Sequence, residues 1–339
     1  MPEMDGLEFL AEVKKMYPEV TRILLTGYAD KENAIKAINE VGLFQYIEKP
    51  WDNEHLKLII RNGLANKTLQ EILNEKIREL DLALLERETL SERNDLLREE
   101  LALARQVQES MLPQDLPKTN GFSFAAKYLP ALEIGGDFYD VLKVDHDKVA
   151  VLIADVTGHG IQAALSTILL KSAFSMFLNP EASPADVLKS MNSILYSVLP
   201  RNTFVAAMVV TIDTSTGQCR IANGGIPHPY LLRRNDRQLE RVTANGLLLG
   251  ITSDDLYNPT EEISIKLEKR DCLILYTDGL SEAENEKEQP FDSEKMKQII
   301  LKNCDKPSGE ILERLTTAVK KFSKPEHKWD DITVIGIES

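Results

Sequence analysis

The chain has 339 residues, more than one hydrophobic core usually accommodates, so its length favours about two domains. It carries 40 basic and 54 acidic residues, for a formal net charge of -14. This acidic balance argues against broad electrostatic binding to nucleic acid or anionic lipid. It favours a metal ion or a cationic partner.

The cysteines and the apolar runs bear on the compartment. Cys219, Cys272 and Cys304 stand far apart without CxxC spacing, so neither a disulfide framework nor a zinc knuckle is indicated. Apolar runs such as residues 149–154 are far shorter than the roughly 18 residues that suggest a membrane span, and no charged-then-apolar leader opens the chain. We therefore expect a cytoplasmic protein in a reducing compartment, with no membrane association.

Residues 1–63 alternate helix and strand patterns. After the loop MPEMDG we predict a helix from Leu7, a strand over 21–26, a helix over 30–41, a strand over 44–47 and a helix from Asp52. This rhythm indicates a parallel sheet flanked by helices. Two parallel strands cannot cover themselves, so we do not expect this segment to fold alone.

Three motifs in this segment, MPEMDG, LLTGYAD and YIEKPW, resemble the second half of a bacterial response-regulator receiver domain. The resemblance implies that Thr26 matches the switch hydroxyl, Tyr46 the switch aromatic and Lys49 the phosphate-pairing lysine. The phosphoacceptor aspartate of that family would fall three residues before Met1, and we expect it to be missing. A shortened chain or a misplaced start codon explains this, and a degenerate dimerisation fragment is the alternative.

Residues 64–112 contain no glycine or proline and are rich in Glu, Leu, Arg and Asn. Apolar residues recur there at heptad-like spacing, namely Leu69, Leu73, Leu80, Ala83, Leu90, Leu97, Leu101, Ala104 and Met111. We predict a long linker helix that pairs as a parallel coiled coil and makes the protein a homodimer. Arg87 and Asn94 lie on the same seam and would set the register. The alternative is a single solvated helix.

Residues 113–339 have the pattern of a mixed domain. Strands are predicted over 122–128, 149–155, 203–212, 230–232, 263–267, 273–277 and 332–337. Helices are predicted over 161–177, 184–199, 293–301 and 308–322. Because strands and helices do not strictly alternate, this order favours an α+β sandwich over a doubly wound sheet.

Four acidic patches stand out in this domain, at residues 135–140, 154–160, 276–280 and 329–333. In three of them an apolar strand runs directly into or out of an aspartate. Carboxylates that converge from distant sequence repel one another unless a cation lies among them, and oxygen ligands suit Mg²⁺ or Mn²⁺. Each patch alone is weak evidence for a metal site, because an Asp-Gly pair after a strand is more often a turn than a ligand. Gly135-Gly136-Asp137 is also similar to the GGDEF signature of diguanylate cyclases, but its continuation departs from that signature.

The order and spacing of all four patches resemble the SpoIIE branch of the PPM (type 2C) metal-dependent protein phosphatases. The resemblance implies a β-sandwich flanked by helices, with two divalent ions, Mn²⁺ or Mg²⁺, at one edge. The ligands it implies are Asp155 between both ions, the carbonyl of Val156, Asp137 near the first ion, Asp278 and Asp330 at the second, and, less strongly, Asp331. Asp155 and Asp137 are the expected catalytic residues, since two ions that share a water can lower its pKa and hold phosphate for in-line attack.

Two histidines lie near these patches. His159 is a candidate acid for the leaving serine oxygen, although packing at a helix start is the commoner role for such a residue. His228 is displaced from the Asn-Ala-Gly-His-Pro run of the branch, which puts any role carried over to it in doubt.

The resemblance implies a phosphoserine and phosphothreonine protein phosphatase in bacterial two-component or partner-switching signalling. Its expected partner is a phosphorylated anti-sigma-factor antagonist or a similar small phosphoprotein. A non-catalytic pseudophosphatase scaffold is the alternative from another functional class. Hydrolysis of a small phosphorylated metabolite is a further alternative.

Overall fold

A computed structural model describes residues 4–27, 38, 41–119, 121–158, 160–253, 256–257, 262–323 and 329–339. The chain divides into two compact units, residues 1–95 and residues 96–339. Within the described ranges, every helix is too short or too polar to cross a lipid bilayer.

The first unit contains a helix and a two-stranded parallel sheet. Helix α1 covers Gly6–Met16, strand β1 Ile23–Thr26 and strand β2 Gln45–Glu48. Asp5 begins α1 with a capping box, because its side chain accepts hydrogen bonds from the first turn while the Glu8 side chain accepts one from the Asp5 N–H. The predicted parallel pairing is confirmed. Most of the helix predicted over 30–41 lies outside the described residues.

The next helix, α2, covers Asn53–Met111 in 59 residues without interruption. It joins the helix predicted from Asp52 to the predicted linker helix and runs straight through Gly63. Glycine inside a helix costs about 1 kcal/mol relative to alanine. Here a Cβ at Gly63 would lie 3.0 Å from Thr21 Cγ2 and 3.3 Å from the Phe44 ring. The glycine therefore lets the helix lie close to these side chains. Pairing of α2 with a second copy stays a prediction.

The second unit is built on two five-stranded antiparallel sheets. The first sheet has the order β10-β7-β6-β5-β4, with β4 at Asp137–Lys143, β5 at Lys148–Val156, β6 at Val205–Asp213, β7 at Gln218–Gly224 and β10 at Ile263–Lys266. The second has the order β3-β12-β11-β8-β9, with β3 at Ser123–Leu129, β8 at Tyr230–Arg233, β9 at Gln238–Arg241, β11 at Cys272–Tyr276 and β12 at Ile332–Glu338. The remaining helices are α3 at Ile161–Phe177, α4 at Pro184–Val198, α5 at Gly279–Glu282, α6 at Ser293–Lys302 and α7 at Ser308–Phe322.

Three buried clusters hold these elements in four layers. Between the sheets, Ile153 and Val210 of the first sheet share a core with Leu275 and Ile335 of the second. The outer face of the first sheet packs against α3 and α4, where Phe174 is fully buried. The outer face of the second packs against α6 and α7. The predicted α+β sandwich flanked by helices is confirmed.

Strand β5 shows why the sequence folds in this way. Its residues Val149, Val151 and Ile153 face the core between the sheets, whereas Ala150, Leu152 and Ala154 face the helices. A strand buried on both faces needs an unbroken apolar run rather than an alternating one. The run at 149–154 therefore fixes β5 in the middle of the domain.

Candidate metal centre

Strands β4 and β5 bring two of the predicted acids together. Asp137 is the first residue of β4 and Asp155 the last but one of β5, and the antiparallel register pairs them directly. Residues opposite each other in such a pair have Cα atoms about 4.5 to 5.5 Å apart, with side chains on the same face. Asp137 is 2% exposed. Asp155 is half-buried.

The second sheet supplies the other two patches. Strand β11 ends just before Asp278, and β12 starts just after Asp330 and Asp331. These strands are antiparallel neighbours, and the Thr277 N–H continues their ladder by donating to the Thr333 carbonyl at 3.0 Å. The two acidic segments consequently lie side by side.

Gly279 makes that approach possible. A Cβ at this position would overlap the backbone of Asp331 and lie 3.1 Å from the carbonyl carbon of Asp330. Only a residue without a side chain allows the turn after Asp278 to sit so close to the segment before β12.

The acids of the two sheets raise one another's pKa. Burial, followed by the charges of Asp278 and Asp330, raises the pKa of Asp155 to about 7. Burial and the charge of Asp155 raise the pKa of Asp137 well above its ordinary value. Burial and the charge of Asp330 also raise the pKa of Asp278. A cation among these side chains would reverse the effect, because it favours their charged form.

The carboxylate of Asp137 is held at one oxygen only. Its Oδ2 accepts hydrogen bonds from the hydroxyls of Thr277 at 2.8 Å and Thr333 at 2.6 Å. Its Oδ1 is buried and has no hydrogen-bond partner in the described part of the chain. A buried acceptor without a donor is the kind of atom that a metal ion satisfies.

Asp331 and Asp330 differ in their hydrogen bonds and in their exposure. Both oxygens of Asp331 accept backbone hydrogen bonds from the loop before β4, one from the Ala131 N–H at 2.7 Å and one from the Gly136 N–H. Asp331 therefore fixes the loop that leads to Asp137. Asp330 is exposed, and one of its oxygens accepts from the Asp331 N–H at 2.8 Å. This geometry favours Asp330 over Asp331 as a metal ligand.

The carbonyl of Val156 also lies close to this loop. A Cβ on Gly136 would be 2.8 Å from that oxygen, so glycine is required where the loop passes it. The Val156 N–H donates to the Gly136 carbonyl at 3.3 Å. The backbone ligand implied by the resemblance thus stands next to Asp137.

The sequence did not single out three further residues, which interact with the acids or with the loop and strand that position them. Glu282, in α5, has a raised pKa because of burial and the charges of Asp278 and Asp330. Gln108, near the end of α2, exchanges two hydrogen bonds with the backbone of Gly135. Lys171 of α3 donates to the Met111 carbonyl at 2.6 Å and to Asp140 Oδ2 at 3.1 Å. None of these three contacts follows from a local pattern in the sequence.

Of the two histidines near the patches, the structure describes only His228. His159 lies outside the described residues. His228 has a buried Nδ1 without a hydrogen-bond partner, and its pKa is lowered by burial and the charge of Arg241. It is not among the main causes of the raised pKa values of Asp137, Asp155 and Asp278.

Among the described residues, no three His, Cys, Asp or Glu side chains are arranged to hold a metal ion between them. The donor set nevertheless fits a hard divalent cation, because it consists of carboxylate and carbonyl oxygens. The unpartnered Oδ1 of Asp137 fits it as well. The individual ligand assignments stay predictions.

Two family models match parts of this chain. Residues 145–339 match the family model described as Stage II sporulation protein E (SpoIIE), and residues 1–61 match the response regulator receiver domain. Both resemblances drawn from the sequence motifs are confirmed.

The chain is also similar to two named phosphatases and to a solved domain. Phosphoserine phosphatase RsbU of Bacillus subtilis (strain 168) is 28% identical over 205 residues, which cover 60% of this chain and 60% of RsbU. Phosphoserine phosphatase RsbP of the same strain is 26% identical over 244 residues, or 70% of this chain and 57% of RsbP. The chain thus spans less than two thirds of these relatives. The SiaA-PP2C domain of Pseudomonas aeruginosa has the same fold, with a TM-score of 0.63 at 21% identity over 73% of this chain and 98% of that domain.

Proposed function

Because the chain belongs to the SpoIIE family, we propose that its second unit is a metal-dependent phosphoserine and phosphothreonine protein phosphatase. The observation that carries the proposal is the approach of Asp137 and Asp155 on one sheet to Asp278 and Asp330 on the other, with the pKa of Asp155 raised to about 7. Acids that raise one another's pKa are best stabilised by positive charge, and their oxygens suit Mg²⁺ or Mn²⁺.

Each acid has a role in this proposal. Asp155 would serve both ions, and the Val156 carbonyl would be the backbone ligand beside it. Asp137 would serve the first ion, and Asp278 with Asp330 the second. Asp331 instead holds the loop before β4 through its two backbone hydrogen bonds. Two bound ions would supply an activated water and hold the phosphate oxygens for in-line displacement. The chain's own contribution is to fix the donor oxygens on rigid strand ends, so no covalent phosphoenzyme and no serine or cysteine nucleophile is required.

The names of the relatives support a proposal for the substrate class. RsbU and RsbP are both named phosphoserine phosphatases. We propose that this chain likewise acts on a phosphorylated anti-sigma-factor antagonist or a similar small phosphoprotein in partner-switching signalling. A pseudophosphatase scaffold would bind the same partner without turnover.

Residues 1–63, 64–112 and 113–339 would then be a receiver-like input segment, a linker and the phosphatase domain. The linker is proposed to pair as a coiled coil in a homodimer. Its seam residues are exposed in the single chain, for example Leu73 at 57% and Leu80 at 63%. Exposed leucines repeated along one face are usually covered by a partner helix.

Analytical ultracentrifugation tests the pairing. We expect the wild-type chain to sediment as a dimer at micromolar concentration and Leu80→Glu to sediment as a monomer. Leu82→Glu is the matched control, because Leu82 is 68% exposed but lies off the seam. A monomeric wild type, or equal effects of the two changes, would remove the coiled coil from the proposal.

Hydrolysis of para-nitrophenyl phosphate with Mn²⁺, before and after EDTA, tests the activity. We expect turnover that EDTA abolishes, that Asp155→Ala loses and that Asp236→Ala keeps, since Asp236 is an exposed aspartate away from the patches. A phosphoserine peptide and a phosphotyrosine peptide then compare the substrate classes. Unchanged turnover in Asp155→Ala would refute the metal mechanism, whereas metal binding without any turnover would favour the scaffold.

A further inference from the structure

We propose that Thr277 and Thr333 are positioning residues for Asp137, whose carboxylate they hold by one oxygen so that the other is presented to a cation. The inference deepens the proposed metal centre and rests on it. Neither threonine was singled out from the sequence. Each acts through Asp137 and not on the substrate.

The geometry is that of a buried clamp. Thr277 and Thr333 are both 0% exposed, and Asp137 is 2% exposed. The two hydroxyls lie 2.8 Å and 2.6 Å from the same atom, Oδ2 of Asp137. Because water cannot compete at such a site, both hydrogen bonds are maintained and the carboxylate has little freedom to rotate.

The direction of these bonds follows from hydroxyl chemistry. A threonine hydroxyl has one hydrogen to donate and can accept as well. The Thr277 hydroxyl accepts from the Thr333 N–H at 2.9 Å, and its distance to the Thr333 carbonyl is a long 3.5 Å. Its hydrogen is therefore directed to Asp137. Two hydroxyl hydrogens on one oxygen stabilise the ionised carboxylate, which is the form that binds metal.

The clamp also decides which oxygen remains. With Oδ2 engaged twice, Oδ1 of Asp137 is left buried without a partner among the described residues. A divalent cation is the species whose chemistry fits a buried anionic oxygen of this kind. The threonines thus select the ligating atom as well as its orientation.

The clamp joins the two halves of the site. Asp137 starts β4 of the first sheet, whereas Thr277 follows β11 and Thr333 lies in β12 of the second. Thr277 directly precedes Asp278 in the chain, and Thr333 follows Asp330 by three positions. The same hydrogen bonds that orient Asp137 therefore set its register against the acids of the other sheet.

The test is a calorimetric titration of the full chain with Mn²⁺ alone. Thr333→Val is the cleanest change, because it keeps the shape of the side chain and removes only the bond to Asp137. We expect Mn²⁺ to bind at least one site about 10- to 100-fold more weakly, as is typical when an outer-shell partner of a ligand is lost. Thr333→Ser retains the hydroxyl and should bind within about 3-fold of wild type.

A matched control separates this effect from simple core damage. Thr316 is also buried, but its hydroxyl donates to the Leu312 carbonyl within α7. Thr316→Val should leave Mn²⁺ affinity unchanged. If Thr333→Val prevents folding, Thr277→Val against Thr277→Ser makes the same comparison from the other hydroxyl.

The possible outcomes test the clamp and the proposed metal centre separately. Wild-type affinity in Thr333→Val, or equal losses in Thr333→Val and Thr333→Ser, would overturn the clamp. A parallel titration of Asp155→Ala reports on the proposed centre itself. Loss of binding in Asp155→Ala together with unchanged binding in Thr333→Val would refute the clamp alone. Unchanged binding in Asp155→Ala would refute the centre.

Discussion

Replacing Gln108 by leucine tests how the end of α2 supports the loop before β4. The Gln108 side chain is 6% exposed, and its Nε2 donates to the Gly135 carbonyl at 2.7 Å. Its Oε1 accepts from the Gly135 N–H at 3.3 Å. Leucine has a similar size but no polar atoms, so Gln108→Leu leaves both backbone groups of Gly135 without partners.

The magnitude follows from these two bonds. A buried polar group that loses its partner costs about 1–3 kcal/mol, and the longer of the two bonds belongs near the lower limit. Leucine regains roughly 1 kcal/mol by apolar burial beside Met111 and Ile134, which line the adjoining cavity with Gln108. The net loss is about 1–3 kcal/mol. In a unit of this size that corresponds to a fall in Tm of about 2–12 °C.

Differential scanning calorimetry of the metal-free chain measures this loss. Gln106→Leu is the matched control, because Gln106 lies on the same helix and is exposed. Its effect should stay within about 0.5 kcal/mol of wild type. Hydrogen exchange should also quicken at the amides of residues 131–137 in Gln108→Leu alone. Equal Tm values for the two variants would refute the reasoning, since the amide contacts would then contribute nothing.

Three further predictions concern pH and packing. The pKa of Asp155 is raised to about 7, so its contribution to the stability of the metal-free protein is complete below about pH 4 and is lost as pH rises to 7. For the same reason, Mn²⁺ binding should release more protons at pH 6 than at pH 8. Calorimetry in buffers of different ionisation enthalpy measures this release. Equal proton release at pH 6 and pH 8 would contradict the raised pKa of Asp155. Gly279→Ala should cost about 1–3 kcal/mol in urea unfolding because its Cβ overlaps neighbouring backbone, whereas Gly309→Ala, with its nearest contact at 3.6 Å, should be tolerated. Phe174→Ala should cost about 3–5 kcal/mol in the same assay, and Met176→Ala, 68% exposed on the same helix, should cost little.

The elements that the sequence predicted well are those with one dominant signal. The apolar run at 149–154 indicated β5 because a strand buried on both faces has no polar alternation. Helix α7 was predicted with its observed bounds, because Ile311, Leu315 and Val319 recur every four residues and are all buried. In both cases the burial pattern is local, so a short window of sequence contains it.

Strand β4 was missed because its acids made it look like a loop. Asp140 lies in the middle of the strand and is 1% exposed, paired with Lys171 from α3. That partner is 31 residues away, and its approach depends on the packing of α3 against the sheet. Strands β7 and β9 and the short helix α5 were also missed.

The candidate acids were named from their motifs, but the residues that hold them in place could not be. Thr277 and Thr333 contact Asp137 across 140 and 196 residues of chain. Nothing in the neighbouring sequence distinguishes them from ordinary strand threonines. Gln108 contacts Gly135 across a separation of 27, again through packing and not through a local pattern. Motifs record which atoms do chemistry, whereas the contacts that aim those atoms arise only after folding.

The division of the acids between two sheets has a consequence for how this protein can evolve. One pair of carboxylates is carried by the first sheet and the other by the second. The two sheets are held together by the shared core of Ile153, Met208, Leu275 and Ile335, as well as by the hydrogen bonds of the clamp. A change of volume in that core alters the site without touching it. Core substitutions and site substitutions should therefore be epistatic, and grafting the four acidic patches onto another sandwich would not transfer the centre unless the core came with them.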